Sequence, residues 1–224
     1  MSTLLLMRHG QASFGAAKYD ALTRQGEAQA RATGMWMRQH GVKPSSLLHG
    51  PRKRQSHSAL LVLDGGKIEC PAREVNALDE FAEGEEIFAA AERFFGRPMR
   101  ESETRTRRDV MQDYDGACKA WSLGELQIEG RHSIDEFRQN VRQWFEELIH
   151  SPTGAGQQIV AVTSAGVIAA LVCEVMELPN YKWHDLLRVI RNASLTDVLF
   201  SKGRSSLLAF NGVGHLPDAL TTSM

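Results

Sequence analysis

The sequence predicts an α/β fold, a sheet flanked by helices with a helical insertion near residues 84–150. Three observations predict it. Short apolar runs at residues 3–7 and 158–164 stop at Arg8-His9-Gly10 and at Ala165-Gly166, too short for a helical period and right for buried strands. Helical patterns follow both runs. Between them, from Gly84 to about His150, strand-like runs vanish, and Ile134, Phe137, Val141, Phe145 and Leu148 recur at helical spacing. A chain of 224 residues that is 42% hydrophobic has ample material for one such domain with its insertion.

The elements follow in order. The first strand carries Arg8 and His9 to the carboxyl edge of the sheet, where ligands of open α/β folds sit. Gly10 lets the backbone pass close to a ligand. Thr23 then caps a helix with Glu27 in its first turn, running to about His40, where Gly41 and Pro44 end it. Ser46-Leu47-Leu48-His49 is a short second strand. It leads through Gly50-Pro51 into a helix that reaches Leu63 and stops at Gly65-Gly66. Lys67-Ile68-Glu69-Cys70 reads as a weak third strand, and residues 76–81 as a loop. The charged run at 97–108 reads as a solvated helix face, with an arginine-bearing lid as the alternative. The tryptophans are expected to pack the insertion. After residues 158–164 comes an apolar core helix, which Pro179 ends. Residues 194–200 and 205–210 form a closing hairpin across Lys202-Gly203-Arg204, and the tail from Gly212 is expected to be irregular and mobile.

Composition removes several classes of function. With 26 basic and 27 acidic residues the net charge is −1, which suits neither a nucleic-acid nor a membrane-surface partner. Cys70, Cys118 and Cys173 are odd in number and scattered, so neither a disulfide framework nor a zinc site is expected. The amino-terminal apolar run is too short for a signal peptide or a membrane span, and a cytoplasmic protein is expected. No Gly-Lys-Ser/Thr step offers a P-loop. No cysteine is followed by an arginine-ended phosphate loop. Ser164 does not sit in a nucleophile elbow, because Val162 and Gly166 occupy the places around it.

An imidazole at a strand end beside arginines suits an electrophile that carries negative charge, and a phosphate ester fits best. Attack gives a phosphohistidine and divides one hard hydrolysis into two steps. Guanidinium forks match the phosphoryl oxygens, and Arg8 and Arg54 supply two of them. The leaving alkoxide needs a proton, and Glu80 is placed to give it from a protonated carboxyl. The two arginines supply the charge that Mg²⁺ provides elsewhere, and no carboxylate cluster is available to hold an ion, so no cofactor is expected.

These residues fall into ordered motifs. Arg8-His9-Gly10-Gln11, then Leu22-Thr23 with Gly26, then Gly50-Pro51-Arg52-Lys53-Arg54-Gln55-Ser56, then Leu78-Asp79-Glu80, and last residues 211–216 follow one another along the chain. In this order they resemble the histidine phosphatase superfamily, the phosphoglycerate-mutase-like enzymes, over nearly the whole chain. The resemblance implies a three-layer αβα fold and phosphoryl chemistry on a small phosphorylated substrate. It makes His9 the nucleophile, Glu80 the proton donor, and Arg8, Arg54 and Gln11 the phosphate-binding residues. The family's closing Asn-x-x-x-His-Leu pattern is matched by Asn211, His215 and Leu216.

One position departs from the family. After the late strand the family carries a second histidine, and the matching residue here is Ala165. A methyl group donates no hydrogen bond, and losing one oxyanion donor costs on the order of a hundred- to a thousand-fold in rate, about 3–4 kcal/mol. The resemblance therefore implies a weak or atypical phosphomonoesterase. The rival reading is a degenerate member that binds a phosphorylated ligand or a partner protein without turnover. Ala165 speaks for that reading; intact Arg8, His9, Arg54 and Glu80 speak against it. A mutase ranks lower, because Ser13-Phe14-Gly15 stands where mutases commonly carry Trp-Asn, and Phe81-Ala82-Glu83-Gly84 replaces their Arg-His-Tyr-Gly. As substitutes for the missing imidazole, His57 lies one helical turn past Arg54, and His215 lies in the tail. The remaining five histidines have no motif around them.

Overall fold

The computed structural model describes residues 1–13, 20–150 and 156–222. Phe14 and Gly15 of the first loop lie outside them. The strands are β1 Ser2–Arg8, β2 Ser46–His49, β3 Ala72–Glu74, β4 Gln158–Thr163, β5 Leu195–Ser201 and β6 Arg204–Gly212. The helices are α1 Arg24–Gln39, α2 Lys53–Gly66, α3 Gly84–Phe95, α4 Arg107–Ser122, α5 Ile134–His150, α6 Ala165–Val175 and α7 Tyr181–Leu187. Among the described residues the strands form one six-stranded sheet in the order β3-β2-β4-β1-β5-β6.

Strand β1 lies inside the sheet. It pairs in parallel with β4, Arg8 opposite Thr163, and antiparallel with β5 on its other side. Strand β2 also runs parallel to β4, with His49 opposite Val162, so β1, β2 and β4 deliver their last residues to one edge. Alternation along these strands sorts the apolar side chains into two cores. Leu4, Leu6, Leu48, Ile159 and Ala161 join a core with α6 and with Phe137, Val141 and Phe145 of α5. Met7, Leu47, Val160 and Val162 face Ala30 and Met37 of α1 and Ala59 and Val62 of α2. The result is a sheet flanked by helices, as the strand and helix patterns predict, in the three layers that the resemblance implies.

Most elements fall where the sequence places them. Thr23 accepts the Gly26 N–H at 3.1 Å, as an N-cap should, and α1 ends at Gln39. Helix α2 runs on through both glycines to Gly66, because Lys67 supplies the left-handed terminating residue at φ 49°.

Several expectations need correction. The third strand is Ala72–Glu74, beyond the residues 67–70 chosen for it. Its three residues are exposed, and it exists because it pairs with Leu47–His49. Residues 97–106 are not a helix face. Arg97 Nε and Arg105 Nη2 both donate to Asp113 Oδ2, at 2.7 and 2.6 Å, and this buried carboxylate folds the segment around itself. Helix α7 follows Pro179 where no further helix was expected, and it buries Trp183 and His184. Trp183 packs on Trp121 at 4.9 Å, whereas Trp36 lies on α1 beside His40, outside the insertion.

The last correction concerns the tail, which is docked. Gln29 is fully buried on α1 and its amide needs partners, which it finds in Leu220 O at 2.7 Å and Thr222 Oγ1 at 2.8 Å. Leu216 is buried in the core beneath α1 and α2. Among the described residues no helix is long and apolar enough to cross a membrane.

Candidate active site

The site forms where β1 and β4 end side by side. The His9 N–H donates to Thr163 O at 2.8 Å, and His9 O accepts from the Ala193 N–H at 3.2 Å, so the backbone of His9 is gripped from both sides. The next turn presses on α1. A Cβ on Gly10 would fall 2.3 Å from Gly26 O, and one on Gly26 would fall 2.1 Å from Gln11 O. The Arg-His-Gly and Leu-Thr-x-x-Gly motifs are thus two sides of one backbone contact that only glycines permit. The Gly10 N–H also donates to Ser58 Oγ at 3.0 Å, and Ser58 Oγ donates to Arg54 O at 2.7 Å, which ties this turn to α2.

His9 Nδ1 lies 2.7 Å from Gly10 O. A carbonyl only accepts, so Nδ1 carries the proton and Nε2 keeps its lone pair. Burial pushes the imidazole pKa well below its ordinary value, and the charges of Arg54 and Arg8 push it further, against the Gly10 hydrogen bond. Glu80 is shifted the other way. Burial raises its carboxyl, opposed by Arg54, by the N–H groups of Phe81 and Gly166, and by Arg8. Arg8 and Arg54 act on both groups, so Arg8, His9, Arg54 and Glu80 share one electrostatic environment. That environment shifts both the imidazole and the carboxyl toward their neutral forms. Glu80 also borders a cleft of about 550 Å³ against Phe137 and Trp144 of α5, whose lining contains none of the other three.

Ala165 is buried as the first residue of α6, one position before the glycine that meets this acid. The Gly166 N–H donates to Glu80 Oε2 at 3.4 Å, and a Cβ on Gly166 would fall 2.1 Å from Glu80 Oε1. Replacing Gly166 by alanine is therefore expected to displace the Glu80 carboxyl. If Glu80 is the proton donor, turnover of alkyl phosphates should fall by about a hundred-fold, and that of nitrophenyl phosphate, whose leaving group needs no proton, by far less. Equal losses on both esters would show that the glycine serves packing only.

The remaining residues named from the sequence make contacts of their own. Gln11 Oε1 accepts from Thr23 Oγ1 at 2.9 Å, which puts that amide oxygen on the N-cap of α1. His57 is exposed on the outer side of α2. His215 lies on α1, its Nε2 3.0 Å from Thr33 Oγ1, and burial drives its pKa down to about 4. The side chain of Ser164 is held by Gln55 Nε2 at 2.8 Å, inside the core.

Two carboxylates escaped the sequence reading. Asp20 accepts the N–H groups of Lys53 and Arg54, at 2.9 and 3.2 Å, and so caps α2 from the first loop. Asp20 Oδ1 and Glu83 Oε2 then receive Arg54 Nη1 at 3.0 and 3.1 Å. Glu83 also binds Arg52 Nη1 at 2.6 Å. An anion arriving at Arg54 meets a guanidinium already held by acids. Neither contact has a local signal, since Asp20 and Glu83 lie 34 and 29 positions from Arg54.

The family model described as histidine phosphatase superfamily (branch 1) matches residues 4–212. The chain belongs to the histidine phosphatase superfamily. Solved structures resemble this superfamily member along its whole length. A phosphoserine phosphatase variant from Entamoeba histolytica, in complex with phosphoserine, is 19% identical with a TM-score of 0.67, over 97% of this chain and 100% of that one. A mycobacterial glucosyl-3-phosphoglycerate phosphatase in complex with VO3 is 21% identical with a TM-score of 0.64, over 94% and 99%. YhfR of Bacillus stearothermophilus is 18% identical with a TM-score of 0.67, over 96% and 99%. No curated protein matches the chain significantly. At these identities the likeness is one of fold, and the histidine phosphatase fold is what the chain shares with them.

Proposed function

We propose that this histidine phosphatase superfamily member is a phosphomonoesterase that works through a phosphohistidine on His9. Nε2 attacks phosphorus, the P–O bond to the alcohol breaks, and the alkoxide leaves with the proton of Glu80. A water then attacks phosphorus, the P–N bond breaks, and the Glu80 carboxylate takes the water's proton. Arg8 and Arg54 pair with the phosphoryl oxygens, and the Gln11 carboxamide adds a donor. The observation that carries the reading is the Nδ1–H bond of His9 to Gly10 O, which leaves Nε2 as a lone pair under the field of two guanidiniums.

The substrate class is a small phosphorylated ester, as phosphoserine is for the Entamoeba histolytica neighbour. Ala165 stands at the place of the family's second imidazole, so turnover is slow. Because neither His9 nor Glu80 favours its charged form, activity should need a pH above the lowered pKa of His9 and below the raised pKa of Glu80. Ala165 also favours a second reading, in which the chain binds a phosphorylated ligand without turnover.

Incubation with a panel of ³²P-labelled phosphomonoesters in the presence of a metal chelator, followed by an alkaline quench, separates the readings. The expected result is an alkali-stable, acid-labile label on His9 together with inorganic phosphate. Binding of an ester with neither label nor phosphate would overturn the phosphatase in favour of the binding protein. Transfer of the label to another hydroxyl of the ester would identify a mutase.

A further inference from the structure

The carboxy-terminal motif of Asn211 and His215 takes no part in the chemistry above, yet it lies directly behind it. Residues 188–194 form the back wall of the site. Ile190 O accepts from Arg8 Nη1 at 2.6 Å, Ser194 O accepts from the Arg8 N–H at 3.1 Å, and the Ala193 N–H donates to His9 O. Ile190, Asn192, Ala193 and Ser194 are all buried. Ala193 is a non-glycine residue at φ 53°, a conformation that neighbours must hold in place.

The neighbours that hold this wall come from the end of the chain. Asn211 Oδ1 accepts the Arg191 N–H at 2.8 Å, and Asn211 Nδ2 donates to Val189 O at 2.6 Å, so one side chain bridges the two residues flanking Ile190. His215 hydrogen-bonds the backbone of Ala193, with Thr33 as its other partner. Thr222 closes the far end: its carbonyl accepts the Asn192 N–H at 3.3 Å, and its hydroxyl donates to Asn192 Oδ1 at 3.0 Å. Each contact reaches the wall from β6 or the tail. Asn211 is itself left-handed, at φ 56°, a conformation that asparagine tolerates well.

We propose that Asn211 is a positioning residue that sets the guanidinium of Arg8 through Ile190 O, with His215 and Thr222 splinting the rest of the same wall. The phosphate-binding role of Arg8 rests on the function proposed above; the placement of its guanidinium does not.

The test uses the full chain with Asn211→Gly. Glycine suits the left-handed backbone and leaves the Asn211 N–H to Thr196 Oγ1 contact available, so only the bridge to Val189 and Arg191 is lost. Asn211→Asp is the second variant, which keeps the acceptor and removes the donor. Vanadate is the probe of anion binding, and the titration of His9, followed by NMR, is the probe of where the Arg8 charge lies. His9 titrates against Arg54 and Arg8, which also act on Glu80.

Vanadate affinity is expected to fall about tenfold, the worth of one hydrogen bond to a charged group. The pKa of His9 should rise, because a nearby cation that lowers it has moved away. In an Arg8→Gln background, Asn211→Gly should change neither quantity. An unchanged affinity and His9 titration, or the same affinity loss with Arg8 absent, would overturn the assignment. A wild-type chain that fails to bind vanadate would count against the proposed function alone, and the His9 titration would still judge Asn211.

Discussion

Replacing His9 by alanine is expected to lower phosphomonoesterase activity by about 10³- to 10⁴-fold while leaving the fold and phosphate binding in place. Losing the nucleophile of a fully equipped hydrolase costs about 10⁶-fold. If one oxyanion donor is missing at Ala165, about 10²- to 10³-fold of that range is gone beforehand. Arg8 and Arg54 remain in the variant, so inorganic phosphate should still bind within about tenfold of the wild type. The backbone bonds of residue 9 to Thr163 and Ala193 do not involve the side chain and should survive. Rate measurements on one ester, paired with phosphate titration by calorimetry, check both halves. A loss of less than tenfold would show that another residue accepts the phosphoryl group.

Ala165→His acts in the opposite direction. If Ala165 stands where the family's second imidazole stands, the new side chain gains a place beside Glu80 at the start of α6. Activity should rise by about a hundred- to a thousand-fold. Ala165 is buried and Gly166 already touches Glu80, so repacking around the ring will take part of the gain. The gain must also depend on the nucleophile. In a His9→Ala background, Ala165→His should add nothing, a double-mutant result that distinguishes a restored donor from a new nucleophile. A folded single variant that binds phosphate and gains no rate would mean that the site is closed to catalysis by more than one lost side chain.

The interior of the sheet was legible in the sequence because its strands carry their own signal. Strands β1 and β4 are buried on both faces and read as unbroken apolar runs, and the β5–β6 hairpin alternates around a Lys-Gly-Arg turn. Strand β3 carries none: its three residues are exposed, and only pairing with β2 makes them a strand. Helix α7 is seven residues long and begins just after a proline, below the length at which periodicity is visible. At the candidate site, Arg8, His9, Arg54 and Glu80 carry motifs that can be read locally. Asp20 and Glu83 carry none, because only folding sets either acid against Arg54. The order of the tail was hidden for the same reason, since the buried amide of Gln29 that anchors it lies 191 positions from Leu220.

The pairing of β1 with β4 fixes when the site can exist. Leu4 meets Ile159 and Arg8 meets Thr163 across a gap of about 155 residues. During synthesis His9 is therefore made long before β4 and has nowhere to sit until Thr163 has followed it. Contacts so distant in sequence make closure of the sheet late and slow, and an apolar strand waits for its partner meanwhile. The wall behind Arg8 comes later still, with Asn211 and Thr222. A chain stalled before β4 lacks Thr163, the backbone partner of His9, and holds an unpaired apolar strand.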